Sequence, residues 1–263
     1  MFGVFDGHGG GEVARYAKRH FEEGLKQIEE FKNNDFKEGM RKGFLDVDVK
    51  LNSGGLDEVA KDKRENPPNK SPLLKVLTDS GNKGENGEMS DEALALDSIG
   101  CTANVVMIDT TRQKLFVANA GDSRAVMGQG GKAVPLSFDH KPENEEEIRR
   151  IEAAGSTITD GRVDGNLNLT RALGDLKYKQ KEHLKAEEHP ITANPDTYEY
   201  EITAESDFVF MGCDGCWETK SNDEMVEWIY KRLGEKKQSA DLKTIVSELL
   251  NEIVSPDHVQ TSK

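Results

Sequence analysis

Three aspartates stand just beyond apolar runs, each close to a glycine. Asp6 follows Phe2-Gly-Val-Phe and precedes Gly7-His8; Asp122 follows Leu115-Phe-Val-Ala-Asn-Ala-Gly121; Asp214 follows Phe208-Val-Phe-Met-Gly-Cys213 and precedes Gly215. The apolar runs read as strands, and the glycines as exits that let the backbone approach a ligand. Taken singly, each aspartate is equally an ordinary turn residue, and Asp6-Gly7 has the composition of a hairpin turn. Taken together, they put three carboxylates at strand ends that can meet at one edge of a sandwich. Crowded carboxylates repel unless a cation sits among them. Oxygen ligands with bound water suit magnesium or manganese. A pair of such ions clamps a phosphate and lowers the pKa of a bridging water to about 7. His8, two residues from Asp6, then stands where a general acid protonates a leaving oxygen.

The chain that must position these groups has 263 residues and a net charge of −14. That length suits one compact domain with a surface insertion. The acidic balance argues against nucleic acid or an anionic membrane surface as a partner. No stretch is long and apolar enough to span a bilayer. Three cysteines, Cys101, Cys213 and Cys216, are an odd, small set that indicates a reducing compartment. With no signal peptide in view, the expected location is cytoplasmic or nuclear. Cys213 and Cys216 form a C-x-x-C, a pattern of redox or zinc sites, but no second pair completes a zinc set.

Residues 11–30 keep helical spacing through Val13, Tyr16, Ala17, Phe21, Leu25 and Ile28. Asn34 or Asp35 caps a second helix with Phe36, Met40, Phe44, Val47 and Leu51 on one side. Over residues 52–97 the period dissolves into Gly, Pro and charge, which predicts a mobile insertion with a short helical piece near 73–77. Residues 99–108, 114–120 and 124–127 read as an antiparallel meander. A helix is expected over 143–154, an irregular excursion over 171–192, and a strand over 198–202. The apolar run 207–212 reads as a central strand, and 225–233 and 242–253 as amphipathic helices. Strands near both ends and in the middle, with helix pairs early and late, are not βαβ alternation. They predict an α+β fold: an antiparallel β-sandwich flanked by helix pairs in α-β-β-α order.

Six ordered segments carry a resemblance. Val4-Phe-Asp6-Gly-His8-Gly-Gly10, Gly100-Cys-Thr102-Ala, Asn119-Ala-Gly-Asp122-Ser-Arg124, Asp139-His-Lys-Pro142, Leu169-Thr-Arg171-Ala-Leu-Gly-Asp175 and Cys213-Asp214-Gly-Cys-Trp217-Glu218 resemble, in order, the signatures of the metal-dependent protein phosphatases of the 2C type. The resemblance runs from residue 2 to about residue 254 and implies hydrolysis of phosphoserine and phosphothreonine in phosphoprotein substrates. It implies a centre of two magnesium or manganese ions with a weaker third. Asp6 would bridge two ions, the Gly7 carbonyl and Asp214 would each bind one, and Asp122 would serve the third. His8 would be the acid. Thr102 and Glu218 would stand behind the ligands, Glu218 where the family has aspartate. The excursion after Asp175 matches the family's flap beside the active site.

The resemblance also implies a strand with glutamate and arginine before the opening segment and a final strand carrying Asp-Asn. Neither stands within residues 1–263, so the expected unit is a single catalytic domain truncated at both ends, with unpaired edges. A phosphatase-like scaffold that binds a partner protein is the alternative this raises, and a redox role for Cys213 and Cys216 is a third reading. The expected oligomeric state is a monomer.

Overall fold

The computed structural model describes residues 1–66, 96–236 and 241–254. Side-chain alternation sets its layers. In β4 (Ala103–Asp109) and β5 (Lys114–Ala120), Val105 and Phe116 enter one core while Val106, Leu115 and Val117 enter another. These two strands lie inside an antiparallel sheet of order β1-β4-β5-β11, flanked by β1 (Phe2–Val4) and β11 (Asp196–Glu201). One face packs against α1 (Glu12–Leu25) and α3 (Phe36–Lys50) through Tyr16, Phe21, Met40 and Phe44. The other meets a second sheet of order β12-β6-β7, made of β6 (Arg124–Gln129), β7 (Lys132–Pro135) and β12 (Ser206–Gly212). Val209 and Met211 join the core between the sheets. Phe208 and Phe210 face outward into a core with α7 (Asn222–Lys236) and α8 (Leu242–Ile253). The layers are α-β-β-α, the expected α+β sandwich. No helix among the described residues is long and apolar enough to cross a membrane.

Several elements depart from expectation. The meander does not form: β4 and β5 are a hairpin, but Gly121 (φ 113°) turns the chain out of the first sheet and β6 joins the second. Strand β7 was not expected; Gly130 and Gly131, both at positive φ, close a two-residue hairpin onto β6. Residues 207–212 belong to an edge strand, β12, which among the described residues pairs only with β6. Their continuous apolar run reflects two covered faces, one on the first sheet and one on helices, rather than a central position. The stretch 11–30 divides into α1 and α2 (Glu29–Lys32), and Asp35 caps α3 by accepting the Glu38 N–H at 3.3 Å.

The first part of the insertion expected over 52–97 is helical as far as Glu65. After a π turn at Leu51–Gly55, kinked at Gly54 (φ 123°), α4 (Leu56–Glu65) folds back on α1. It buries Val59 and Ala60 and pairs Asp62 with Arg15 at 2.6 Å. So few apolar positions leave no readable period. The helical piece expected near 73–77 lies outside the described residues.

The 171–192 excursion is tied down by charge. Glu147 of α5 (Glu145–Ala153) is 2 % exposed; it accepts from Arg171 Nη2 at 2.6 Å and pairs with Arg150 Nη2 at 2.7 Å. Arg171 also reaches Asp196 at 2.7 Å and the Asn194 carbonyl at 3.2 Å. Burial pushes the Glu147 carboxyl up, but the hydrogen bonds from Arg171 and Arg150 outweigh it and hold it at about 2. Stability from this group is therefore present above the ordinary glutamate value of 4.5 and is lost as pH falls from there towards about 2. Glu147→Gln should destabilise the fold by about 3 kcal/mol at neutral pH, because it leaves two buried guanidinium groups short of a counter-charge. Urea denaturation at pH 7 and pH 3 checks this, and the difference between variant and parent should shrink at the lower pH.

Candidate active site

Strand register brings the three aspartates to one end of the sandwich. In the first sheet Val4 pairs with Asn104 and Asn104 with Asn119, so Asp6 and Asp122 leave the same end. The Thr102 N–H donates to the Asp6 carbonyl at 2.9 Å, extending that pairing by one step. In the second sheet Gly212 pairs with Arg124, so Asp214 emerges beside the turn Gly121-Asp122-Ser123.

Asp6 and Asp214 come close together. One carboxylate oxygen from each and the Cys213 Sγ all lie within 4.8 Å of one another. Burial raises the Asp6 carboxyl above its ordinary value, and the charges of Asp214 and then Asp122 raise it further. Repulsion of this kind is relieved by a bound cation. Gly7 adds a close backbone approach: a Cβ there would meet the Gly10 carbonyl at 2.7 Å. Two carboxylates with the Gly7 carbonyl would make a hard-oxygen donor set that suits magnesium or manganese. Cys213 was not among the expected site residues. Its hydrogen bond with Cys216 lowers the Cys213 thiol and raises that of Cys216. Both are free thiols on α6 (Asp214–Trp217) or its cap, and β12 before them is antiparallel rather than part of a βαβ unit. Among the described residues this is a three-group cluster, short of a four-ligand zinc set.

The surrounding residues hold the loops in place. Thr102, 2 % exposed, accepts the Asp6 N–H at 3.3 Å and shares a hydrogen bond with Ser123 Oγ at 2.7 Å, joining the Asp6 and Asp122 loops. Asp122 is 3 % exposed and paired with the Lys141 ammonium, so it does not join the Asp6–Asp214 cluster. Arg124 forks onto Asp139 with two bonds of 2.8 Å and stacks over Trp217 at 5.0 Å. This links the segments that carry Asp122, Lys141 and Asp214. Glu218 is exposed at the end of α6; its N–H donates to the Asp214 carbonyl at 2.9 Å, and no described residue bonds its carboxylate. His8 lies on a small sheet of order β10-β3-β2, made of β2 (Gly7–His8), β3 (Gly100–Cys101) and β10 (Leu173–Gly174). Its Nε2 sits 2.5 Å from Asp175 Oδ2. The sequence signal for Asp175 was its place in Leu169-Thr-Arg171-Ala-Leu-Gly-Asp175, but nothing there pointed to His8.

The family model described as Protein phosphatase 2C matches residues 1–261, and the chain belongs to that family. It is 39 % identical over 264 residues to Protein phosphatase 2C 1 of Paramecium tetraurelia, covering 99 % of this chain and 78 % of that one. It is 37 % identical over 229 residues to Protein phosphatase 2C homolog 2 of Schizosaccharomyces pombe, covering 87 % of this chain and 52 % of the relative. Relatives so named support protein phosphatase activity. A phosphatase from Toxoplasma gondii has the same fold, with a TM-score of 0.68 at 21 % identity over 95 % of this chain and 78 % of that one. A sex determining protein of Caenorhabditis elegans follows with 0.63 at 23 % identity, over 96 % and 53 %.

Thr102→Val should cost about 1–3 kcal/mol, since it strips partners from a buried Ser123 hydroxyl and from the Asp6 N–H. A lower urea midpoint at unchanged slope is the expected result.

Proposed function

We propose that this chain hydrolyses phosphoserine and phosphothreonine in proteins, using water activated at a centre of two magnesium or manganese ions. The observation that carries the reading is the convergence of Asp6 and Asp214, remote in sequence, with ligand atoms within 4.8 Å. Asp6, Asp214 and the Gly7 carbonyl would hold the ions, and Asp122 a weaker third. When bound, such ions supply a nucleophilic hydroxide near neutral pH and offset phosphate charge. The chain's own residues do the rest. Strand register and the Thr102 hydroxyl hold the Asp6 loop against the Asp122 loop. His8, two residues beyond Asp6, would protonate the departing seryl or threonyl oxygen.

Phosphate release from a phosphothreonine peptide with manganese present tests the reading. Activity should vanish in chelator, and Asp214→Asn should weaken manganese binding by about 100-fold. Activity that persists in chelator would sink the metal centre. Full inactivity of the wild-type protein with two ions bound would favour a partner-binding scaffold. A separate outcome concerns Lys141, whose ammonium and a divalent ion compete for the same Asp122 carboxylate. Lys141→Met should tighten the weakest manganese site by about tenfold, from loss of a competing charge in a half-buried setting. Titration calorimetry reads this, and unchanged affinity would remove Asp122 from the metal set.

A further inference from the structure

His8 is held from the side opposite its own loop. Asp175, 1 % exposed, puts Oδ2 2.5 Å from His8 Nε2. The aspartate is over-determined by its surroundings. It adopts a left-handed conformation (φ 49°) after Gly174 (φ 77°), and its N–H donates to the Ile99 carbonyl at 2.9 Å. Gly174 N–H donates to Asp48 Oδ1 at 2.8 Å, and Asp48 also pairs with the Lys179 ammonium. Helix α3 thus anchors the chain on both sides of Asp175. Gly100, between β2 and β10, leaves room for the contact: a Cβ there would lie 2.3 Å from Asp175 Oδ2 and 2.7 Å from His8 Nε2.

We infer that Asp175 is the positioning residue for His8, committing Nε2–H to its carboxylate so that Nδ1 is the nitrogen that serves the leaving oxygen. This rests on the phosphatase reading above. In that step water oxygen forms the new P–O bond. The electron pair of the old P–O bond passes to the seryl or threonyl oxygen, which takes the Nδ1 proton of the imidazolium form and leaves His8 as the neutral Nε2–H tautomer. The proton that water gives up restores His8 through solvent. Among the described residues Nδ1 has no hydrogen-bond partner, whereas Nε2 is taken. Asp48, Lys179 and Gly100 act through Asp175 rather than on substrate.

The leaving group provides a test that a purely structural role would not pass. A seryl alkoxide needs a proton to depart; p-nitrophenolate does not. With manganese present, Asp175→Asn should lower kcat on a phosphoserine peptide by about 10–100-fold at unchanged KM. On p-nitrophenyl phosphate the loss should stay within about threefold. Asparagine tolerates the left-handed backbone, so the loop is kept. Gly100→Ala, which pushes the two side chains apart while changing neither residue, should reproduce the selective loss. Asp175→Asn added to His8→Ala should cost nothing more than His8→Ala alone. Equal losses on both substrates, or additivity with His8→Ala, would overturn the inference. Nitrogen-15 spectra of the histidines in the metal-free protein give a readout without turnover: His8 should be the Nε2–H tautomer in the parent and lose that preference in Asp175→Asn. An Nδ1–H tautomer in the parent would overturn the assignment. No turnover of either substrate by the wild-type protein would instead defeat the phosphatase reading and the proton-donor role with it, while the tautomer would still decide whether Asp175 holds His8.

Discussion

Like charge held together against its own repulsion is the constraint around which this protein is built. Asp6 and Asp214 approach within ligand distance, and Asp122 is near enough to raise the Asp6 carboxyl further. Side chains alone would drift apart. The backbone prevents it: Asp6 and Asp122 leave the two strands that flank β4 in one sheet, and Asp214 leaves a strand of the other, paired in register with the strand that follows Asp122. Moving any aspartate away means breaking sheet pairing or the packed core between the sheets, where Val117, Met127 and Leu136 are buried.

The residues behind the carboxylates are fastened to one another more firmly than to solvent. Thr102 and Ser123 join two of the loops by hydroxyl bonds, and Arg124 ties a third through Asp139 and Trp217. Such supports let a charged site keep its shape whether or not a cation is bound. The segment after Asp139 serves the same end: Lys141 lies on Asp122, while the Gly121 N–H donates to His140 Nδ1 at 3.2 Å. One short loop therefore bonds both the turn and the carboxylate it presents.

His8 is held differently, by the orientation of its ring, with Nε2 2.5 Å from Asp175 Oδ2. The three short strands β2, β3 and β10 have little stability of their own. They are held by burial of Cys101 and Leu173 and by the reach of α3 through Asp48. The segment that follows Asp175 is joined to the same helix through Lys179. Helix packing on the far face of the first sheet is thereby connected to the orientation of an imidazole at the active edge.

Period and punctuation were enough to read α1, α3, α8 and most strands, because each buries one face or both and its apolar residues follow the 3.6 or 2 repeat. They were also enough to mark Asp6, Asp122 and Asp214, since an apolar run ending in aspartate and glycine is a local pattern. What remained hidden depended on partners distant in sequence. The transfer of β6 to the second sheet hinges on the backbone angle of Gly121, and the edge position of β12 on which strands lie beside it. Helix α4, with few apolar residues, is held by its contact with α1. Cys213 showed in the sequence only as part of a C-x-x-C, and the fold is what puts its sulfur beside two carboxylates. Asp175 was visible as part of a pattern, yet its bond to His8 exists only because Gly100 lets two backbone segments close over it. Local chemistry named the charged groups; the long-range register of the sheets chose which of them would touch, because contact between residues so far apart in the chain is set by packing and not by spacing.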